Sequence, residues 1–238
     1  MTLGSLFSGS GGFEFAGALA GIKPVWNAEI EPFPSRVTAA RFPDVTNYGD
    51  VTRINGAEVQ PVDIITFGSP CQDLSIAGKQ AGIHEGKRSS LFFEAVRIIT
   101  EMLESTNGKY PTFSLFENVP GMLTSNKGDD FRDVLQAFVD IKDPMFDVPK
   151  PDRWGGSGCI VGDDYSFAWR TYNAQFWGVP QRRKRVYLLG HLAGRRAGEI
   201  LFESESERWN SEKGRKAWER AACYVEGSFG EGCPVWLR

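Results

Sequence analysis

Cys71 stands where a buried strand is predicted to end. The apolar run at residues 62–67 predicts the strand, Pro70 and Cys71 follow it, and a polar loop with three glycines comes next. A thiol at a strand end is a good nucleophile when its pKa is lowered. The loop carries Lys79 and is typical of a lid that closes over a polyanion. The alternative is that Cys71 is a small buried hydrophobic residue.

Two further polar groups lie at predicted strand ends. Glu117 follows the apolar residues 113–116, where a carboxyl group is unfavourable to bury unless it has a partner or a role. Arg183 and Arg185 open the apolar run at residues 185–190, and we expect their side chains to point across the strand ends. The alternatives are a hydrogen-bonded turn for Glu117 and a solvated loop for the arginines.

A glycine-rich stretch, FSGSGG at residues 7–12, separates the first predicted strand from the first predicted helix. Glycines allow a tight turn and close approach of a ligand, and the helix start presents free N–H groups. The stretch lacks the spacing of GxGxxG and the Lys-Ser/Thr of a phosphate loop. Glu29, about 20 residues on, suits ribose hydroxyls, and Asp50 suits an adenine amino group. Each could be an ordinary surface carboxylate, but together they predict an adenosine pocket that needs no phosphate.

Apolar strands and amphipathic helices alternate up to about residue 193. The predicted strands are 3–7, 25–30, 62–67, 113–117 and 185–190, and the predicted helices are 13–20, 35–41, 90–103 and 130–141. This alternation predicts an α/β fold with a doubly wound, mostly parallel sheet, in which ligands bind beyond the carboxyl ends of the strands. We expect a catalytic domain at 1–193 and a charged appendage at 194–238, with one helix near 212–222.

The composition is that of an ordinary globular chain. The 238 residues carry a net charge of −3, and no apolar run is long enough to span a membrane. The four cysteines are scattered without CxxC pairs or nearby histidines, which argues against zinc and against a disulfide scaffold. We expect a cytoplasmic protein without a bound metal or a membrane partner.

These motifs together resemble the DNA (cytosine-5) methyltransferases over roughly residues 3–193. The resemblance rests on FSGSGG at 7–12, GSPCQDLS at 68–75, Glu117-Asn118-Val119, and QRRKR at 181–185, which corresponds to the family's Gln-x-Arg-x-Arg element. Four motifs in the right order are a specific match, unlike any one of them alone. The implied fold is the Rossmann-like fold of methyltransferases that use S-adenosylmethionine.

The resemblance also implies roles. Cys71 would attack carbon 6 of a cytosine flipped out of double-stranded DNA, and Glu117 would contact ring N3 and the exocyclic amine. Arg183 and Arg185 would bind near the base's carbonyl oxygen or the flanking backbone, and Arg185 is the first choice for the carbonyl oxygen. S-adenosylmethionine would donate the methyl group, in a restriction-modification setting. The implied cofactor-binding residues are Phe7, Ser8, Gly9, Gly11, Gly12, Glu29, Ile30, Asp50, Val51 and Pro70. The implied DNA-contacting residues are Gln72, Ser75, Lys79, Asn118 and Gln181.

The chain also departs from the family pattern. Family members continue past the arginine motif into a target-recognition region and close with a Gly-Asn segment, and neither is found in this sequence, which starts at the first motif. We therefore expect a truncated enzyme, a degenerate copy, or half of a split enzyme whose second chain carries the target-recognition region. The isolated chain is expected to bind S-adenosylmethionine weakly and to methylate poorly or not at all.

Three alternatives remain open. They are a non-catalytic or partner-dependent subunit, a tRNA cytosine-5 methyltransferase, and an unrelated nucleotide-binding dehydrogenase. The last leaves Cys71 and Glu117 unexplained.

Overall fold

The computed structural model of the chain describes residues 1–69, 91–178, 180–202 and 235–237. Within these ranges nine strands form one sheet in the order β3-β2-β1-β4-β5-β8-β7-β6-β9. The strands are β1 (Thr2–Leu6), β2 (Lys23–Ala28), β3 (Thr46–Asn47), β4 (Ile64–Phe67), β5 (Phe113–Asn118), β6 (Ser157–Val161), β7 (Ser166–Asn173), β8 (Lys184–His191) and β9 (Val235–Leu237). The α-helices are α1 (Gly12–Leu19), α2 (Pro32–Arg41), α3 (Leu91–Ser105), α4 (Asp129–Asp140) and α5 (Ala197–Phe202).

The first five strands pair in parallel. β3, β2, β1, β4 and β5 are parallel neighbours, and the chain crosses between them through helices. β8 is antiparallel to both β5 and β7, and β6 and β7 form an antiparallel hairpin that the sequence did not predict. The prediction of an α/β fold with a doubly wound, mostly parallel sheet is confirmed.

One face of the sheet is covered by α3 and α4. Their apolar side chains recur at helical spacing, so a single stripe of each helix faces the sheet. Phe92 from α3 and Phe138 from α4 meet Phe67 and Phe116 from the central strands, with ring centroids 5.0 to 6.3 Å apart. All four rings are essentially inaccessible to solvent. This cluster holds the ends of β4 and β5 in fixed positions.

The opposite face carries α1 and α5. Gly17 of α1 lies against Leu3, so closely that an added Cβ would stand 3.0 Å from that side chain. Ala197, at the start of α5, donates its N–H to the Ser166 hydroxyl at 3.0 Å and packs on β7. In the described parts of residues 194–238, α5 therefore packs on the sheet and β9 pairs with β6. A domain boundary at 193 stays a prediction. The helix predicted near 212–222 lies outside the described residues.

Candidate active site

The glycine-rich turn lies between β1 and α1 and is held from three sides. The Gly9 N–H donates to Glu29 Oε2 at 2.8 Å, the Thr38 hydroxyl donates to the Gly9 carbonyl at 3.1 Å, and the Ser8 N–H donates to the Ala28 carbonyl at 3.2 Å. Gly9 has a φ of 55°, in the left-handed region where glycine is favoured. The predicted neighbours Gly9 and Glu29 are therefore in direct contact.

Space is left beside this turn. An added Cβ at Gly9 or at Gly12 would meet no heavy atom within 4 Å. Phe7 also has a positive φ, 55°, and is half-buried. The turn thus presents open backbone at the start of α1, where unpaired N–H groups accumulate, and its residues fit a cofactor that approaches the backbone closely.

Two carboxylates follow the neighbouring parallel strands β2 and β3. Glu29 follows β2, and its other oxygen accepts from the Glu31 N–H at 2.8 Å. Asp50 accepts from the N–H and the hydroxyl of Thr52, which lowers the pKa of the Asp50 carboxyl. Asn47 connects the two segments, because its side chain bonds both the N–H and the carbonyl of Glu29.

The hydrophobic residues predicted beside the cofactor differ in exposure. Val51 is buried and anchors a short 3₁₀ turn at Val51–Arg53, whereas Ile30 is 66% exposed at the surface. An exposed apolar side chain next to Glu29 is suited to packing against a ligand.

A second site lies where β5 and β8 meet. Glu117 Oε1 and Arg185 Nε are 2.7 Å apart, and both side chains are about one-fifth exposed. Gly68, just after β4, lies so close that an added Cβ would stand 3.1 Å from Glu117 Oε2. Gly68, three residues before Cys71, therefore lies against Glu117. Pro70, Cys71, Gln72, Ser75 and Lys79 themselves lie outside the described residues.

A cavity of about 460 Å³ lies beside this ion pair. Its lining residues are Leu115, Tyr172, Ala174, Trp177, Arg183, Arg185, Tyr187 and Leu201. Burial and the neighbouring Glu117 carboxylate raise the pKa of the Tyr187 phenol, while Arg183 and Arg185 act in the opposite direction. The phenol therefore stays protonated, and aromatic rings and guanidinium groups share one pocket.

Two predicted DNA-contacting residues lie in different environments. Gln181 is exposed, and its carbonyl accepts from the Arg183 N–H at 3.0 Å. Asn118 is buried, and its Oδ1 accepts from the Val119 N–H at 2.7 Å, which shapes the turn after β5. The contacts of both residues with DNA stay predictions. In the described ranges, no cluster of His, Cys, Asp or Glu could hold a metal ion.

Sequence reasoning missed four residues near these sites: Glu14, Tyr172, Trp177 and Tyr187. Tyr187 could have been found, because it lies two residues after Arg185 on a strand and so shares its face. Glu14 carried no such signal, since it stands between two phenylalanines on a short helix.

The sheet order, the open turn after β1 and the charged groups at the strand ends define an α/β domain whose candidate site lies at the carboxyl edge of the sheet. The chain belongs to the C-5 cytosine-specific DNA methylase family, whose sequence model matches residues 1–142 and 161–222. This membership confirms the resemblance that the motifs indicated.

Several curated relatives are similar over most of this chain. The Type II methyltransferase M.HhaI of Haemophilus parahaemolyticus is 31% identical over 77% of this chain and 47% of its own length. M.NlaIV of Neisseria lactamica is 32% identical over 76% of this chain and 37% of its own length. A protein of Escherichia phage P1 named DNA N-6-adenine-methyltransferase is 33% identical over 93% of this chain, but the match covers 33% of that protein. The chain thus spans a third to just under half of these relatives.

Solved structures support the fold. A DNA modification methyltransferase encoded within an Escherichia coli prophage aligns with a TM-score of 0.55 at 22% identity, covering 80% of this chain and 46% of that one. The Dnmt2 methyltransferase of S. pombe aligns with a TM-score of 0.51 at 17% identity, covering 89% of this chain and 56% of that one.

No described helix is long and apolar enough to cross a membrane.

Proposed function

We propose that this chain methylates carbon 5 of a cytosine flipped out of double-stranded DNA, through a covalent adduct with Cys71. The observation that carries the proposal is the Glu117–Arg185 pair, 2.7 Å apart, beside the residue that leads into the Pro-Cys motif. A carboxylate and a forked cation next to each other can contact neighbouring polar atoms on one edge of a ring.

S-adenosylmethionine fits the other site. The open backbone at Gly9 and Gly12 accommodates a ligand without phosphates, and Glu29 and Asp50 offer acceptors for hydroxyl and amino groups. When bound, the cofactor supplies an electrophilic methyl group. Val51 and Ile30 would also belong to the cofactor site, as the family resemblance implies.

The chain's own residues then perform the steps on the base. The Cys71 thiolate adds to carbon 6, and the ring electrons move towards carbon 5 while Glu117 keeps a proton at N3. Carbon 5 would then bond to the methyl carbon as the methyl–sulfur bond of S-adenosylmethionine breaks, which would leave S-adenosylhomocysteine. A water molecule or hydroxide would take the proton from carbon 5, which restores the double bond between carbons 5 and 6 and expels the Cys71 thiolate. The N3 proton would return to Glu117, so the enzyme regains its starting state.

Arg185 is the residue that we propose to hold the base's carbonyl oxygen. Its ion pair with Glu117 fixes the guanidinium, and four further N–H donors of an arginine remain for other acceptors, one of which reaches the Lys184 carbonyl. A fixed donor at a developing negative charge can contribute about 3 kcal/mol to the transition state.

The parts of the enzyme that choose the DNA sequence are also proposals. Because the chain spans less than half of its curated relatives, we propose that a further polypeptide, covalently joined or separate, supplies the target-recognition region. The alternatives to DNA methylation by this chain are a partner-dependent subunit and a tRNA cytosine-5 methyltransferase. The bacterial and phage relatives fit a cytoplasmic setting.

Covalent trapping tests the function. The chain is incubated with S-adenosylmethionine and a duplex that contains 5-fluorocytosine, whose fluorine blocks the final elimination. We expect a low yield of an adduct that survives denaturing electrophoresis and that disappears in Cys71→Ser, because the isolated chain is expected to bind the cofactor weakly. Binding of cofactor and DNA without any adduct would contradict catalysis by this chain and favour the subunit. An adduct with tRNA alone would favour the tRNA enzyme.

Arg185→Lys tests the site within the same assay. Lysine keeps the charge but loses the fork, so we expect the adduct to form at least about tenfold more slowly. The matched control is Arg182→Lys, because Arg182 is exposed and lies outside the Gln-x-Arg-x-Arg positions. Equal rates for the two variants would remove Arg185 from the proposed mechanism.

A further inference from the structure

A buried polar cluster lies directly beneath the glycine-rich turn. It consists of Ser5 on β1, Ser8 in the turn, Glu14 in the first turn of α1 and Asn27 on β2. Glu14 and Ser5 are 0% exposed, Asn27 is 2% exposed and Ser8 is 6% exposed. A carboxyl group that is completely withdrawn from water is rare in proteins unless other groups compensate it, so its presence requires an explanation.

The polar groups of the cluster lie close together, but the geometry between them is not that of standard hydrogen bonds. Asn27, Ser5 and Ser8 lie near enough to act on the Glu14 carboxyl as hydrogen-bonding groups. Neither carboxyl oxygen, however, forms a hydrogen bond of standard geometry, and the same holds for both hydroxyls and for Asn27 Oδ1. We rely on the proximity of these groups, not on any one bond, because hydroxyl and carboxyl hydrogens can rotate to suit.

We propose that Glu14 is a positioning residue for the cofactor pocket, which holds the glycine-rich turn against β1 and β2 through the Ser8 side chain. The inference rests on the proposed function, because the pocket it concerns is that of S-adenosylmethionine. Glu14 lies close to side chains of β1, β2 and the turn, whereas the open side of the turn is formed by Gly9 and Gly12. Glu14 therefore acts through the turn and not on the ligand.

The protonated carboxyl suits this position. Its O–H can donate to Asn27 Oδ1, a buried acceptor without a partner, while its remaining oxygen accepts from a serine hydroxyl. Burial raises the pKa of Glu14 above its ordinary value of 4.5, although its own N–H and the three polar side chains act to lower it. The groups that face it from β1, β2 and the turn are uncharged.

The sign of the pH effect follows from this shift. A carboxyl whose pKa is raised in the folded state favours the native arrangement most below its unfolded value, and this contribution is lost as the pH rises through the folded pKa. Ionisation of Glu14 would place a charge among neutral partners and loosen the turn. Cofactor affinity should therefore fall as the pH rises, and Glu14→Gln, which keeps the shape but cannot ionise, should remove that fall.

Calorimetry with S-adenosylmethionine from pH 4.5, the ordinary pKa of the carboxyl group, up to about pH 9 tests this prediction. We expect Glu14→Gln to bind within about threefold of the parent and without its pH dependence, and Glu14→Ala to bind at least about tenfold more weakly. Glu104→Gln, an exposed glutamate on α3, is the matched control and should keep the parent's profile. If Glu14→Ala does not fold, the pH dependence of cofactor binding by Glu14→Gln still tests the proposal. Equal losses in both Glu14 variants, or a parent profile unchanged in Glu14→Gln, would overturn the proposal.

A measurement without cofactor separates this inference from the proposed function. Amide hydrogen exchange at residues 8–12 should be faster in Glu14→Ala than in the parent and in Glu14→Gln, while exchange in β8 stays the same. If the parent does not bind S-adenosylmethionine, the proposed function fails, and the exchange at the turn still tests the role of Glu14. Identical exchange at the turn in all three proteins would refute it.

Discussion

At the scale of single residues, the carboxylate oxygens of Glu29 have two tasks: they accept hydrogen bonds from the backbone, and they are proposed to bind the cofactor. One oxygen accepts from Gly9 and the other from Glu31, so the carboxylate already fixes the turn before any ligand arrives. Carboxylate oxygens have two acceptor sites each, and a ribose can share them with the backbone. The pocket is therefore organised in advance by the same residue that is proposed to bind the cofactor.

The two glycines on the open side of the turn allow the effect of backbone strain and the effect of lost ligand space to be measured separately. Gly9→Ala should lower the free energy of unfolding by about 1 to 2 kcal/mol, because alanine is disfavoured at a φ of 55°. Gly12→Ala should leave stability unchanged or slightly higher, because Gly12 begins α1 without a positive φ. Both added methyl groups enter the space left for the cofactor, so both variants should bind S-adenosylmethionine more weakly.

Denaturant unfolding and calorimetry measure the two effects independently. Gly12→Ala is the informative variant, since its weaker binding cannot be assigned to instability. Binding equal to that of the parent would show that the cofactor does not approach the turn at Gly12.

At the scale of elements, α3 is connected to the segment that carries Asp50. Arg97 bonds Glu94 and Glu101 on its own helix, and the same guanidinium donates to the carbonyls of Ile54 and Val51. Glu101 in turn accepts from the Gly56 N–H at 2.7 Å. One arginine thereby ties the 3₁₀ turn beside the cofactor pocket to a helix of the core.

Arg97→Met should show this connection. Methionine keeps much of the apolar stem and loses the fork, so we expect the free energy of unfolding to fall by about 1 to 2 kcal/mol, at the modest end because the side chain is about one-third exposed. Arg53→Met is the control, since Arg53 is 87% exposed and should change stability by less than about 0.5 kcal/mol. Thermal and urea unfolding of both variants checks the prediction, and equal stabilities would show that α3 does not restrain the turn.

Local periodicity predicted the elements that alternate along the chain. Each of the five predicted strands and four predicted helices exists, with ends displaced by at most three residues. The β6–β7 hairpin was missed because it interrupts the alternation of strand and helix and pairs antiparallel, so the rule for parallel sheets had no place for it. Prediction worked where packing follows one repeating pattern and failed where the topology changes.

The candidate site was predictable only where a residue marks a strand end. Glu29 and Glu117 follow apolar runs directly, and the rule that ligands bind beyond strand ends identified them. Glu14 lies inside a helix whose phenylalanine and leucine residues suggest the buried side. In the structure Glu14 is buried while Phe15 and Leu19 are 50% and 75% exposed, because α1 turns its polar position towards Ser5 and Asn27. Tertiary contacts, which the sequence does not display, decided that orientation.

At the scale of the whole molecule, the outer side of α1 is unusually apolar for a surface. Phe15 and Leu19 are four residues apart and share one helix face, and both are exposed. Single exposed apolar residues are ordinary, but a pair on one face beside a ligand pocket indicates a surface prone to contact with other chains. The chain also spans less than half of its curated relatives, so more protein surrounds the matched region in those proteins.

We therefore predict that the isolated chain associates through α1. The double variant Phe15→Gln and Leu19→Gln should shift sedimentation velocity profiles towards the monomer, because it removes apolar area from the helix face while glutamine preserves helix propensity. Its melting temperature should stay close to that of the parent, since neither side chain contributes to the core. Met145→Gln is the matched control: Met145 is 84% exposed and lies in the turn that follows α4, which covers the other face of the sheet, so association should not change. A double variant that sediments like the parent would assign the association to another surface and leave the outer side of α1 as inert apolar area.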